Sequence, residues 1–237
     1  MNTTFEYVGS ELEVFAQAIN WKGYFGSQLR RHIRGKVLEV GAGLGATTRV
    51  LCNEQIACWT CLEPDRDLAE KLADTIQEDP FLRARPIDVM VGTLDDVAND
   101  NLFDTILYID VLEHIEHDHL ELAQAARLLA RGGRLVVLSP AHQWLFSPFD
   151  DAIGHYRRYS RKTLQAVGPA GLDLIALRYL DSAGLLASLA NRTILKSSKP
   201  TAKQIAFWDS TLVPASRFLD PVFGYRLGKS VFAAWRR

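Results

Sequence analysis

The chain of 237 residues is 48% hydrophobic and 23% charged, which suits one large α/β domain and excludes a disordered tail, a coiled coil and a collagen-like repeat. Three cysteines do not make the framework of a disulfide-stapled miniprotein. Net charge is −1, yet residues 1–153 hold 13 Lys and Arg against 24 Asp and Glu, for −11, and residues 154–237 hold 14 against 4, for +10. The basic part is either a solvated face or a surface for an anionic partner: a phosphorylated or carboxylated substrate, a membrane surface or a nucleic acid. Glu6, Glu11 and Glu13 stand where a secretory signal would carry basic residues. No apolar run approaches the roughly 18 to 20 residues of a spanning helix. The expected compartment is the cytoplasm.

In chain order, Glu11 to Arg34 reads as largely helical despite Gly23 and Gly26. The centre then alternates short apolar runs with helical patterns, the signature of βαβ units and a parallel sheet. The predicted strands are Lys36 to Val40, Ala57 to Leu62, Ile87 to Val91, Phe103 to Ile109 and Arg134 to Leu138. Helices are predicted at Ala46 to Glu54, Asp67 to Gln77 and Glu113 to Ala130, the last stopped by Arg131, Gly132 and Gly133. Ser139 to Arg161 reads as a long loop, dense in aromatic, His and Arg residues, of a length that is usually functional. A helix near Lys162 to Val167, a strand near Leu172 to Leu180, an apolar helix over Ser182 to Leu195, a segment rich in Trp, Phe and Pro over Ile205 to Phe223, and a final edge strand over Ser230 to Trp235 complete the reading. There is no internal repeat, and the chain is not divided into two domains.

The first strand ends in Glu39-Val40-Gly41-Ala42-Gly43-Leu44-Gly45, directly before a helix. Glycines there admit positive φ and close approach of the backbone to a ligand. The spacing is G-x-G-x-G, not the G-x-G-x-x-G of dinucleotide dehydrogenases. A carboxylate at Glu39 would repel a pyrophosphate and would suit an ammonium or sulfonium. Glu63 closes the second strand, eighteen residues beyond Gly45, where an acid can accept hydrogen bonds from ribose hydroxyls; otherwise it is a helix-start acid ahead of Pro64.

Val37-Leu38-Glu39-Val40-Gly41-Ala42-Gly43-Leu44-Gly45, Leu62-Glu63-Pro64, Phe103-Asp104-Thr105-Ile106-Leu107, Asp110-Val111-Leu112-Glu113-His114-Ile115 and Leu128-Leu129-Ala130-Arg131-Gly132-Gly133-Arg134-Leu135 stand in the order of the motifs of class I S-adenosylmethionine-dependent methyltransferases. The chain resembles that family over about residues 35 to 140. The resemblance implies a Rossmann-like seven-stranded sheet, mostly parallel with the last strand antiparallel and with helices on both faces, and S-adenosyl-L-methionine as cofactor. It implies one domain: a helical cap (1–34), a cofactor-binding core (35–140) and an acceptor side of loop, insertion helices and final strands (141–237). Glu39, Gly41, Ala42 and Gly43 would face the methionine part, Glu63 and Pro64 the ribose, Thr93 and Leu94 the adenine, and Asp110 and Val111 the methyl group and the ligand's edge.

Asp110, Glu113 and His114 are spaced i, i+3, i+4, so a helix beginning there would put them on one face. Ubiquinone-pathway and small-RNA methyltransferases are similar here and bind a divalent metal through such a segment; in the RNA enzymes a further ligand is a histidine in the loop after strand five, and His155 lies in a similar place. Asp110 stands where those families have Glu. Many methyltransferases without a metal also read Leu-Glu-His-Ile, and no metal is expected. His155 is then the candidate general base, with His114 beside it and His142 as competitor. Tyr156, Arg157, Arg158 and Trp144 are candidate acceptor-binding residues, the arginines for phosphate or carboxylate; the alternative is a surface network with Asp150 and Asp151. Cys58 and Cys61 sit on a strand and read as small buried apolar residues.

The reading is methyl transfer to an oxygen or nitrogen of a small, anionic or lipophilic biosynthetic acceptor. Nucleic acid is not expected as partner, whereas contact with a membrane surface or a lipid-linked substrate is admitted. The alternatives are a metal-assisted RNA 2′-O-methyltransferase, favoured by the acid and histidine cluster and the basic part, and a non-catalytic cofactor-binding subunit, which loss of the cofactor motifs would favour. Those motifs are intact.

Overall fold

The apolar runs become strands whose side chains alternate between two buried faces. The computed structural model describes residues 17–190 and 201–237. Its strands are β1 (Gly35–Val40), β2 (Ile56–Glu63), β3 (Ile87–Val91), β4 (Phe103–Ile109), β5 (Leu129–Pro140), β6 (Asp173–Leu180) and β7 (Ser230–Arg236). They form one sheet in the order β3-β2-β1-β4-β5-β7-β6. β1 to β5 pair in parallel, and β7 runs antiparallel to both neighbours.

The helices are α1 (Ile19–Leu29), α2 (Ala46–Leu51), α3 (Arg66–Glu78), α4 (Pro80–Arg83), α5 (Asp118–Arg127), α6 (Pro148–Ala152), α7 (Arg161–Val167), α8 (Ser182–Ala190), α9 (Ala202–Phe207) and α10 (Val213–Val222). Period-two alternation divides the core. Val37, Trp59, Leu107, Val136 and Phe232 face a cluster with α1, α2, α3 and the C-terminal helices, whereas Leu38, Leu62, Ile106, Val137 and Ala233 face one with α5 and α7. Cys61 is buried in the first cluster and Cys58 is half-buried, both as free thiols.

Several expectations need correction. β7 is not an edge strand, because it pairs with β5 on one side and β6 on the other; its five apolar residues Val231, Phe232, Ala233, Ala234 and Trp235 are all buried, covered on both faces of the sheet. The predicted helix Glu113 to Ala130 is a 3₁₀ turn, Leu112–His114, followed by α5. Ile115 is extended and separates the two. Gly132 and Gly133 do not end that helix but lie inside β5, where the register with β4 shifts and Gly132 takes φ +75°. The long loop contains α6 and a bridge between Ala141 and Tyr159. α1 and α8 form within the predicted helices, whose parts at 11–16 and 191–195 lie outside the described residues.

Three buried carboxylates tie the C-terminal helices to the rest. Asp181 accepts from Trp208 Nε1 at 2.7 Å, Ser216 Oγ at 2.8 Å and Gly184 N at 3.0 Å. Asp220 accepts from Tyr24 Oη at 2.5 Å and from the amides of Asp181 and Ser182. Asp209 receives the amides of Asn20 and Trp21 at the start of α1. Each is thus satisfied by several donors, as a buried carboxylate must be.

Candidate active site

The C-terminal ends of β1, β2 and β4 meet around the glycine loop. The chain turns there by donating Gly41 N and Ala42 N to Leu62 O (2.8 and 3.3 Å) and Gly45 N to Ala42 O (3.0 Å). Gly41 has φ +68° and Gly45 φ +78°, conformations costly for any other residue. A Cβ on Gly41 would stand 2.6 Å from Val111 Cγ2, and one on Gly45 2.5 Å from Leu72 Cδ1. Glycine at these two positions lets Val111 and Leu72 pack against the loop backbone.

Glu63 closes this cradle. Its two oxygens accept from Gly43 N at 2.8 Å and Asp65 N at 3.1 Å. Four lone-pair sites on a carboxylate leave capacity for a ligand's hydroxyls. Burial raises its pKa while the two amides oppose the rise. Pro64 and the N-cap Asp65, which accepts from Leu68 N at 3.0 Å, start α3 beside it. Glu39 lies beneath the loop, its Oε2 accepting from Thr48 Oγ1 at 2.6 Å and Trp59 Nε1 at 2.8 Å. Burial pushes Glu39 up to about 7, against those two bonds. Beyond β3, Thr93 caps the turn Leu94–Asp96 through a reciprocal bond with Asp96, and Leu94 is buried.

Asp110 follows β4 in a left-handed conformation, φ +54°, with its amide on Leu138 O. It is open to the cleft yet hemmed in by protein, which raises it to about 6 against the pull of His155, Lys229, Lys22 and Arg158. Val111 presses on Gly41, so the glycine loop and the acid and histidine segment are in direct contact. Glu113 is fully buried, and neither carboxylate oxygen has a hydrogen-bond partner among the described residues; Ser139 is near but outside bonding geometry. Burial and the charge of Asp110 raise the Glu113 carboxyl well above its usual range. His114 is lowered to about 4 by burial and by His155.

The His114 and His155 rings meet edge to face at 4.5 Å, and His155 Nε2 is 4.0 Å from Glu113 Oε1. Glu113, His114 and His155 each offer a ligand atom, all within 4.8 Å of one another, a set that could hold a divalent cation. Asp110, which helical spacing joined to them, is not in that group; the 3₁₀ turn and the positive φ of Asp110 remove the common helix face.

Asp150 is the hub of the loop after β5. Its Oδ1 accepts from His155 Nδ1 at 3.0 Å and Arg158 Nε at 2.7 Å, and its Oδ2 from Ser147 N and Oγ at 2.9 and 2.8 Å. These bonds hold its carboxyl far below the usual range despite burial. Arg158 is thereby committed to Asp150. Arg157 pairs with Asp118 at 2.7 Å and donates to Glu116 O. Tyr156 and Trp144 remain exposed at the rim. His142 Nε2 is bonded to Gly228 O at 2.9 Å and its ring stacks on Tyr179; His155 has its Nε2 directed to the cluster instead.

The network of arginines with Asp150, named from the sequence as the alternative to acceptor binding, forms for Arg158, though buried and not at the surface, and it also takes in His155. Two lysines at this site carry no local sequence signal for it. Lys22 on α1 and Lys229 before β7 bring positive charge toward Asp110 from opposite ends of the chain. Burial lowers Lys22 to about 8 and also lowers Lys229, whose Nζ lies 4.6 Å from the Trp208 ring. Basic residues beside predicted elements were visible, but their convergence is set by the tertiary fold.

Residues 38–135 match the model of a family described as a methyltransferase domain. Over those residues the chain resembles that family, and its fold is that of solved methyltransferases. It is 30% identical over 151 residues to demethylmenaquinone methyltransferase of Tropheryma whipplei (strain Twist), an alignment covering 63% of this chain and 58% of the relative. The chain thus spans 58% of the length of the curated relative it matches. N-methyltransferase NodS of Bradyrhizobium japonicum WM9, solved with S-adenosyl-L-homocysteine, superposes with a TM-score of 0.61 at 14% identity, covering 98% of this chain and 94% of that one. The [4+2]-cyclase SpnF superposes at 0.59 with 16% identity, covering 91% and 81%. The fold is therefore shared with a protein named for a different reaction, and function must be argued from the site.

Proposed function

We propose that this protein is an S-adenosylmethionine-dependent methyltransferase acting on a nucleophilic atom, oxygen or nitrogen, of a small lipophilic acceptor. The observation that carries the reading is the contact of Val111 with Gly41, which joins a left-handed glycine loop, closed by an acid at the end of the second strand, to a histidine whose other ring nitrogen is held by a carboxylate. Bound S-adenosylmethionine would supply an activated methyl group on its sulfonium. The residues present fit such a ligand: Glu63 has acceptor capacity for two hydroxyls beyond its two backbone amides, and Thr93 and Leu94 lie past the end of the neighbouring strand. Kinship with a demethylmenaquinone methyltransferase supports a small-molecule acceptor.

The chain's own residues orient and deprotonate. With Nδ1–H donated to Asp150, the lone pair of His155 is on Nε2, where it can take a proton from the acceptor. Lys22 and Lys229 offset negative charge that appears on the acceptor as the proton leaves, and Trp144 and Tyr156 supply an apolar rim. Calorimetry with S-adenosylhomocysteine, followed by a screen of acceptors for its release from S-adenosylmethionine, tests the reading; absence of binding ends it.

A second reading is favoured by the unpartnered oxygens of buried Glu113: a divalent cation on Glu113, His114 and His155, with Asp150 as the carboxylate behind a ligating histidine. In that case the cation would assist deprotonation. Chelation and metal restoration separate the two.

A further inference from the structure

We propose that the face formed by α10 and the turn after it docks this protein on an anionic phospholipid bilayer. The inward-facing residues of α10 are Val213, Ser216 and Asp220. At about 100° per residue, Phe218 and Val222 point directly away from them. Each is 78% exposed. Phe223 and Leu227 extend the exposed apolar surface along the same segment. Single exposed apolar residues are ordinary on a soluble protein, but four within ten positions, two of them one helical turn apart, form a patch that marks an interaction.

Charge selects the partner. The part of the chain from 154 to 237 has 14 Lys and Arg against 4 Asp and Glu. Three of those acids, Asp181, Asp209 and Asp220, are buried and spent on internal donors. Asp173 is the one left on the surface. Arg226 stands between Phe223 and Leu227 and is exposed, whereas Arg217 turns to α1 and donates to Asn20 O at 2.9 Å. Bulky apolar side chains with an arginine among them, in a part of the chain with one surface acid, are the chemistry of an anionic headgroup boundary. A nucleic acid would use the arginines but would have no use for Val222 and Leu227.

The patch also reaches the cleft. Leu227 precedes Gly228, whose carbonyl is bonded to His142, and the His142 ring lies 5.4 Å from that of exposed Trp144. Docking would therefore bring the rim of the cleft to the lipid. This step rests on the methyltransferase reading above and narrows its acceptor to a molecule that resides in the bilayer.

The full chain would be sedimented with phosphatidylcholine vesicles, with and without phosphatidylglycerol, and its affinity for S-adenosylhomocysteine measured in parallel. We expect binding to the anionic vesicles only, weakened by salt. Phe218→Asp combined with Val222→Asp should lower vesicle affinity about tenfold or more, and Arg226→Glu about fivefold or more. Unchanged cofactor affinity in both variants would show that they are folded. No binding by the natural chain, equal binding by the double variant, or self-association through the patch that anionic vesicles do not compete away would overturn the docking and leave the enzyme reading standing. Vesicle binding without any cofactor binding would do the reverse.

Discussion

Asp150 and His155 are joined by a 3.0 Å bond from Nδ1 to Oδ1, and the same oxygen receives Arg158 Nε at 2.7 Å. The carboxylate is fully buried and takes four donors, so its position is fixed by the fold and not by a substrate. The histidine is thereby held in one tautomer and one orientation, which a positioned base requires.

His155→Ala should lower turnover by about 10² to 10⁴ while leaving cofactor affinity near its natural value. Asp150→Asn should lower turnover by a smaller factor with little change in the acceptor's Michaelis constant, because it disturbs the tautomer and not the binding surface. Steady-state kinetics with the identified acceptor checks both; full activity in His155→Ala would remove the base assignment.

Arg158 has a different fate from the one its residue type suggests. It is committed to a buried carboxylate, so Arg158→Ala removes the arginine partner of Asp150, leaving it Ser147 and His155, and should lower stability by about 1.5 to 3 kcal/mol, the worth of a hydrogen bond to a charged group. Thermal or urea unfolding reads this directly. A variant as stable as the natural chain, but with a raised Michaelis constant for an anionic acceptor, would return Arg158 to the substrate.

For the cradle, Glu63→Ala should weaken S-adenosylhomocysteine binding by about 1.5 to 3 kcal/mol, the worth of hydrogen bonds to a charged acceptor. Gly41→Ala should weaken it as well, because a methyl group there meets Val111 at 2.6 Å in a left-handed conformation. Calorimetry on both variants is the test. Unchanged affinity in both would detach the glycine loop from ligand binding.

The strands of the core were legible because buried parallel strands are continuous apolar runs, and the glycine loop because its backbone conformations admit little else. The failures have a common physical source. Gly132 and Gly133 look like a helix end when only local propensity is weighed, yet they accommodate a register shift made by pairing with β4 and the C-terminal Arg237. Ser230–Arg236 looks like an edge because it is last in the chain, whereas Asp173–Leu180 pairs on its outer side, a crossover that local pattern does not show. Lys22 and Lys229 gain their meaning from Asp110, which the sequence does not place beside either of them.

Glu113 separates the two readings of the cluster. Burial and the charge of Asp110 raise the Glu113 carboxyl well above its usual range, which favours its neutral form when no cation is held. Glu113→Gln keeps the shape of that neutral form, and without a cation we expect turnover within a few-fold of the natural enzyme and no loss after chelation. Loss of activity on chelation, restored by Mg²⁺ or Mn²⁺ and abolished in Glu113→Gln, would establish the metal-assisted reading.

Far from the cleft, His32 should make stability depend on pH. It is buried, its Nε2 accepts from Arg31 Nε at 3.1 Å, and its ring packs 5.4 Å from that of Phe232. Burial, with Arg31, Arg134 and Arg178 nearby, lowers it from 6.5 to about 4. Protonation in the folded state would break the bond from Arg31 and add a cation among arginines, whereas the unfolded chain takes the proton freely near its ordinary value. Between pH 6.5 and about 4 the unfolded state therefore binds more protons, so stability falls as pH falls through that window and this group contributes no slope above it. The full effect is at most about 3 kcal/mol at about 1.4 kcal/mol per pKa unit. His32→Gln, which retains an acceptor for Arg31 but does not titrate, should flatten urea-derived stability across that range; an unchanged slope in the variant would assign the pH dependence to other groups.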